Sequence, residues 1–519
     1  MTDTGMAMST TAAQYLDKVD ILVIGGGING TGIARDAAGR GLKVLLCEKQ
    51  DLAGATSSAS SKLIHGGLRY LEQYEFRLVR EALAEREVLL GNAPHIVHPM
   101  RFVLPHNQNL RPAWMIRIGL FLYDHLAKRS QNLPGSQQIS LADTSAYAAP
   151  LNDSIKKGFI YSDCNVDDSR LVILNAMDAQ ARGAQILTRT ECINLQTQDN
   201  TWLATLRHQD GTVQHVQAKI LVNAAGPWVE NIQNLVAQHS SKTAGNSKLR
   251  LVKGSHLVTP RLYDGTHAYI LQNKDKRIVF VTPYQNDFSM IGTTDVDFQG
   301  DPGKVSISAE ETDYLLQSVN AYFKQTIRHE DIVSTWSGVR PLYDDAQGNA
   351  STTTRDYVFD VSGGTDSAPP LLSIFGGKIT TYRKLAEHAL EKLAPFTGKH
   401  QPWTHAAPLP GADMPNADIN LFISQLQKQY PWLPEHTASR YARTYGTLAL
   451  VFLAEKNNIE SLGQHFGHDL YEAEVKWLQE HEWARCADDI LWRRTRLGLH
   501  FTPEQTLALQ QWLEKQDIS

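Results

Sequence analysis

The 519-residue chain has little cysteine. Its four, Cys47, Cys164, Cys192 and Cys486, lie far apart and in no paired spacing. That excludes a paired-cysteine zinc site and a disulfide framework, and it suits a reducing compartment. No apolar run reaches the ~20 residues that a bilayer-spanning helix needs. Positive charge is not in surplus either. Fifty Lys and Arg against 55 Asp and Glu leave a net charge of −5, whereas a nucleic-acid binder would show a basic stripe. Residues 1–18 contain acids, no arginine, and no basic stretch ahead of an apolar one. They read as a mobile tail rather than a signal or transit peptide. There is no internal repeat, and the only low-complexity tract is the polar run at 238–248.

The chain does have ordinary globular composition, 42% hydrophobic and 20% charged, over a length that exceeds one compact core. After the tail comes "VDILVIGGGINGTGIARDAAGRGLKVLLCEK". An apolar strand at 19–24 meets a glycine turn, a helical pattern at 31–40 and a second strand ending at Glu48. Gly25, Gly26, Gly27 and Gly30 contain G-x-G-x-x-G. Its first glycine permits the tight turn, the second admits a pyrophosphate, and the third lets helix pack on strand. The helix N-terminus offers N–H groups to the anion, and Glu48 stands where a carboxylate accepts hydrogen bonds from a ribose.

FAD rather than NAD is expected at this turn. A second βαβ repeat does not follow; a long loop of small and hydroxyl residues, "QDLAGATSSASSKLIHGG", does. Such a loop can wrap the second half of a flavin nucleotide, with Thr56, Ser57 and Ser61 as hydrogen-bonding groups. The segment "SSKLIHGGLRYLE" is too polar for core and too apolar for a plain loop, so it should line something buried only when occupied. Gly66 and Gly67 would let backbone pass against the flavin ring. A late "FGGK" (Gly376, Gly377, Lys378), followed by Thr380, suits a second approach to the same cofactor. Residues 249–294 alternate as in an antiparallel sheet. A proline-containing linker precedes a tryptophan-rich helical region.

Several longer words are more specific: "ATSSASSKLIHGGLRYLE", "LVNAAGPW", "VKGSH", "IGTTD", "SGVRPL", "TRDY" and "FGGKITTYRKLAEHALEKL". In order and over most of the chain, they resemble the FAD-dependent, respiratory glycerol-3-phosphate dehydrogenases of bacteria. No D-x-D-x-D-G calcium loop of the mitochondrial relatives occurs. The resemblance implies an α/β (α+β overall) fold with a Rossmann-like FAD-binding domain, an antiparallel-sheet substrate domain and a helical C-terminal domain. The oxidoreductase region would run over 19–400. Its cofactor parts would be about 19–90, 155–230 and 355–395, and its substrate parts about 91–154 and 231–354. The helical domain would take 401–519.

It also implies oxidation of sn-glycerol 3-phosphate to dihydroxyacetone phosphate, with hydride passing to FAD and electrons to a membrane quinone. Arg340 and Arg355 match the family's phosphate-binding arginines, and planar guanidinium forks suit a phosphate. Arg69 and Tyr70 would face the substrate. His256 matches a substrate-site histidine and is the leading base; Lys378 is the rival, binding substrate oxygens or phosphate. His65 reads equally as structural. His95 and His98, beside prolines and without a third ligand, do not make a metal site, and no metal is expected. "AWMIRIGLFLYDHLAKR" suits a helix lying in a membrane interface, with "YRKLAEHALEKL" a second candidate. The expected place is the cytoplasmic face of the inner membrane, peripheral; a homodimer is left open. The competing readings are another FAD enzyme acting on an amine or 2-hydroxy acid, and a non-catalytic flavin-binding or tRNA-associated protein.

Overall fold

The computed structural model describes residues 16–106, 111–130, 132–142, 145–238, 249–344, 356–365 and 368–517. The strand β1 (Leu16–Ile24), helix α1 (Ile28–Gly39) and strand β2 (Val44–Cys47) form the expected βαβ unit, with the strands parallel. β1 begins inside the expected tail. Leu16, Asp17 and Lys18 continue its ladder with strand Val213–Asn223, where backbone pairing does not depend on apolar side chains.

β1 and β2 lie in an eight-stranded, largely parallel sheet. Its path runs Val358–Ser362, Leu371–Phe375, Val213–Asn223, β1, β2, Gln185–Leu187. Successive side chains on β1 point to opposite faces, and both sets are buried. Ile21 and Val23 meet α1, the helix α4 (Asp168–Ala181) and helix Tyr382–Thr397, while Leu22 and Ile24 meet Trp202, Ala204 and Ile232. Two apolar faces explain why β1 reads as an unbroken hydrophobic run. Each such side chain contributes roughly 1.5–3 kcal/mol of burial.

The second sheet has ten strands, mostly antiparallel, and includes β3 (Leu63–Ile64), Leu249–Pro260 and Ser334–Tyr343. Strand Lys157–Val166 belongs here, not with the cofactor parts where 155–230 is expected, because it pairs along its length with Val97–His106. One face packs on helix Ala309–Asn320. The other packs on α2 (Phe76–Asn92) and α3 (Ala113–His125), with Phe102, Phe159 and Phe280 against Val79, Leu83 and Leu120.

Helix Tyr382–Thr397 buries Leu385, Ala389 and Leu393 in the first domain's core, so the second membrane-helix candidate is a core helix. The C-terminal region has a core of its own, built from Phe422, Leu426, Tyr441, Trp477, Leu478 and Leu513.

Candidate active site

A cavity of about 1650 Å³ lies where the carboxyl ends of β1 and β2 face the second sheet. Ligands of open α/β sheets bind at that edge. The volume exceeds the ~300–1,000 Å³ of a drug-sized ligand site, more than a three-carbon phosphate would require.

One end is made of glycine turn and hydroxyl loop. Gly25, Gly27, Glu48, Thr56, Ser57 and Ser61 line it. Gly30 does not; a Cβ there would stand 1.9 Å from the Gly25 carbonyl oxygen, so its place is the close packing of helix on turn. Gly26 is held by its amide, which donates to Glu48 Oε2 at 2.7 Å, while Gln50 N donates to Oε1 at 2.8 Å. Burial raises the Glu48 pKa against these two bonds. Ser57 Oγ accepts from Ile28 N at 3.0 Å, tying the loop to the start of α1. Asn29 Nδ2 donates to the Gly376 carbonyl at 3.1 Å, and Gly377 has φ +97°, a backbone that favours glycine. The two glycine loops that sequence set 350 residues apart thus close one rim of the cavity, together with Thr380, whose Oγ1 accepts from His65 N at 3.3 Å.

The other end is cationic. Arg69, Tyr70, Arg340 and Lys378 all line it, and Lys378 Nζ lies 3.8 Å from the centre of the Tyr70 ring. Arg340 Nη1 donates to Asp295 Oδ1 at 2.6 Å, and Nη2 to Thr293 Oγ1 at 3.2 Å. A Cβ on Gly254 would come 2.4 Å from Arg340 Nη2, so the glycine of "VKGSH" clears the guanidinium's place. Asp295 and Gly254 escaped the sequence reading, although each stands inside a word quoted above. Their signal was position beside a substrate-site word, not residue type.

Two placements differ from expectation. Gly66 turns away from the cavity: its amide donates to Tyr123 Oη at 2.8 Å, Tyr123 donates to Asp163 at 2.6 Å, and Arg86 pairs with Asp163. His256 is 1% exposed and does not line the cavity; Ser61 Oγ, which does, lies 3.0 Å from its Nε2. Burial, then the charges of Lys62 and Arg340, lower the His256 pKa to about 3. The imidazole is therefore neutral but a weaker base than its ordinary value suggests, and Ser61 stands between it and the cavity. Its other face stacks on Trp336, centroids 5.4 Å apart. Arg355 lies outside the described residues. His65 lines the cavity; His95 and His98 are remote from it, each lowered to about pKa 3 by burial first.

The residues fit a flavin dinucleotide. The cradle admits backbone only, the hydroxyl loop wraps it, and the volume leaves room for substrate at the cationic end. A nucleotide turn at a parallel sheet's edge, facing an antiparallel sheet with cations, defines a cofactor-dependent oxidoreductase. Residues 20–383 match the FAD dependent oxidoreductase family, and 402–514 match the C-terminal domain of alpha-glycerophosphate oxidase. The chain is 54% identical to a glycerol-3-phosphate dehydrogenase of Pseudomonas aeruginosa, over 98% of this chain and 97% of that one. It is 51% identical to a D-erythritol 1-phosphate dehydrogenase of Brucella abortus, over 97% and 99%. A solved glycerol-3-phosphate dehydrogenase from Bacillus halodurans, complexed with FAD, superposes with TM-score 0.73 at 25% identity, covering 96% of this chain and 94% of that one. The chain belongs to the FAD-dependent oxidoreductases, in the glycerol-3-phosphate dehydrogenase family, and its cofactor is FAD.

Proposed function

We propose that this protein oxidises sn-glycerol 3-phosphate to dihydroxyacetone phosphate and passes the electrons to a membrane quinone. The observation that carries the reading is the convergence of Arg69, Arg340 and Lys378 on the cavity that the glycine turn and Glu48 open. FAD, when bound, supplies the hydride-accepting chemistry. The chain's own residues bind and orient. Arg340, aimed by Asp295, takes the phosphate with Arg69 and, by the family pattern, Arg355. Lys378 faces the substrate oxygens directly from its seat over Tyr70. His256 reaches the cavity only through Ser61, so as a base it would draw the hydroxyl proton by way of that Oγ. A cluster of cations suits a phosphate dianion better than the single carboxylate of an amino or 2-hydroxy acid.

A second substrate has a specific basis. The Brucella relative, 51% identical, is named for D-erythritol 1-phosphate, which offers the same phosphate on a chain one carbon longer. Dye reduction by the purified protein with both phosphates, sarcosine and 2-hydroxyglutarate separates the readings. Glycerol 3-phosphate should give the highest kcat/KM. A higher value for erythritol 1-phosphate reassigns the substrate, and turnover of sarcosine alone refutes a phosphate site.

The quinone part rests on α3. Trp114 (63% exposed), Ile118 (53%) and Phe121 (61%) face outward while Ile116 and Leu120 are buried, and Met115 and Ile118 reach the cavity rim. Among the described residues no helix is long and apolar enough to cross a membrane. An apolar face this concentrated, with Arg117 on the same helix, suits peripheral attachment to the cytoplasmic leaflet. Co-sedimentation with anionic vesicles should fall several-fold in Trp114→Ser/Phe121→Ser; unchanged pelleting would remove α3 from the account.

A further inference from the structure

We propose that the helical C-terminal domain positions the cofactor loop, residues 50–61, through Arg493, Arg494 and Arg496, and thereby sets how tightly FAD is held. Beyond Leu52 and Ala53, which are buried in the first domain's core, the loop cannot anchor itself. "GATSS" and "ASS" bury almost no apolar surface, so ordering them needs fixed ends.

Both ends are fixed by carboxylates that the helical domain engages. Asp51, 4% exposed, takes a two-bond fork from Arg494, Nη1 to Oδ2 at 2.7 Å and Nη2 to Oδ1 at 2.8 Å. Arg493 Nε adds a third bond at 2.6 Å. At the far end the Ser60 amide and hydroxyl donate to Asp168 Oδ2 at 3.2 and 2.6 Å. Lys62 donates to both Asp168 oxygens at 3.1 Å. Arg496 donates to Asp168 and forks onto Asp167 at 2.9 and 2.7 Å. Arg494 is itself fully buried and tied to the Glu482 carbonyl at 2.6 Å, so the guanidinium is aimed from its own domain. Arg493 and Arg494 close a π-helical turn, an irregularity often found at functional positions.

Between these ends, Thr56, Ser57 and Ser61 face the FAD cavity, and Thr56 Oγ1 donates to the Val339 carbonyl at 2.7 Å, next to Arg340. None of the three arginines lines the cavity; they act through the loop and are positioning residues. Removing Arg494 leaves Asp51 only its bond from Arg493, and removing Arg496 leaves Asp168 to Lys62 and Ser60, so each buried carboxylate is under-compensated and the loop relieves that by moving.

The test uses the full-length holoenzyme and follows FAD release on dilution by the recovery of flavin fluorescence, with the visible flavin spectrum and Tm alongside. Arg494→Met and Arg496→Met should each speed release about tenfold or more and alter the bound-flavin spectrum. Arg494→Lys, which keeps charge but not the fork, should recover part of the effect. Arg440→Met removes a buried pair with Glu474 and Asp469 inside the helical domain and should lower Tm with release unchanged. If a methionine variant does not accumulate, Asp51→Asn breaks the same fork from the loop side with little change of volume and should also speed release. Wild-type release rates in the Arg494, Arg496 and Asp51 variants, or equal acceleration in Arg440→Met, would overturn the proposal.

Discussion

The two ends of the cavity are built from different materials. At the glycine turn the walls are backbone and short polar side chains: Gly25 and Gly27 beside Glu48 and Ser57, which take the amides of Gly26 and Ile28, with the Gly376 loop tied on by Asn29 and little room for an added Cβ. At the far end they are long charged side chains, of which Arg340 is held by Asp295 and Thr293. The first end excludes volume and the second selects charge. One should therefore fail when atoms are added, the other when charge is removed.

The largest expected effect is at the charged end. Arg340→Met removes the fork and leaves Asp295 facing the substrate phosphate, so kcat/KM for glycerol 3-phosphate should fall ~10³-fold while FAD content stays normal. Loss of FAD in that variant would erase the division between the two ends. Gly30→Val places carbon against the Gly25 carbonyl, and FAD affinity should drop about 100-fold, read as colourless protein after gel filtration. Glu48→Ala strands the Gly26 and Gln50 amides; FAD Kd should rise roughly tenfold with KM for substrate unmoved.

The smallest effect is a slope. His256 is held near pKa 3 in the fold against ~6.5 in the unfolded chain, chiefly by burial. As pH falls below ~6.5 the unfolded chain binds the proton and the fold does not, so stability is lost down to about pH 3. His95 and His98 add to the same slope. His256→Gln should therefore flatten Tm against pH in that window by about one proton's worth. An unchanged slope would show that His256 is solvated or already paired.

The backbone-built end was legible in the sequence because its logic is local. Strand, turn, helix and acid follow within 30 residues, and glycine has few other reasons to repeat at that spacing. The charged end was legible only as words. Nothing local to "SGVRPL" says that Asp295 will aim Arg340; the pairing of Leu249–Pro260 with Ser334–Tyr343 and the 293–295 turn beside it bring them together. The burial of His256 behind Ser61 was illegible for the same reason, since the two lie 195 residues apart in the chain. Gly66 belongs with α3 through a tyrosine that no spacing rule connects to it. Nothing local to residues 488–500 shows that Arg494 will meet Asp51, 443 residues distant in the chain.

The central claim is a flavin held beside a pocket that demands a phosphate. Anaerobic mixing of the purified yellow protein with substrate tests it most directly, by following the visible flavin band. Glycerol 3-phosphate should bleach the band in a single saturable phase, while glycerol at the same concentration leaves it intact. Equal bleaching by both compounds, or none by either, would contradict the account.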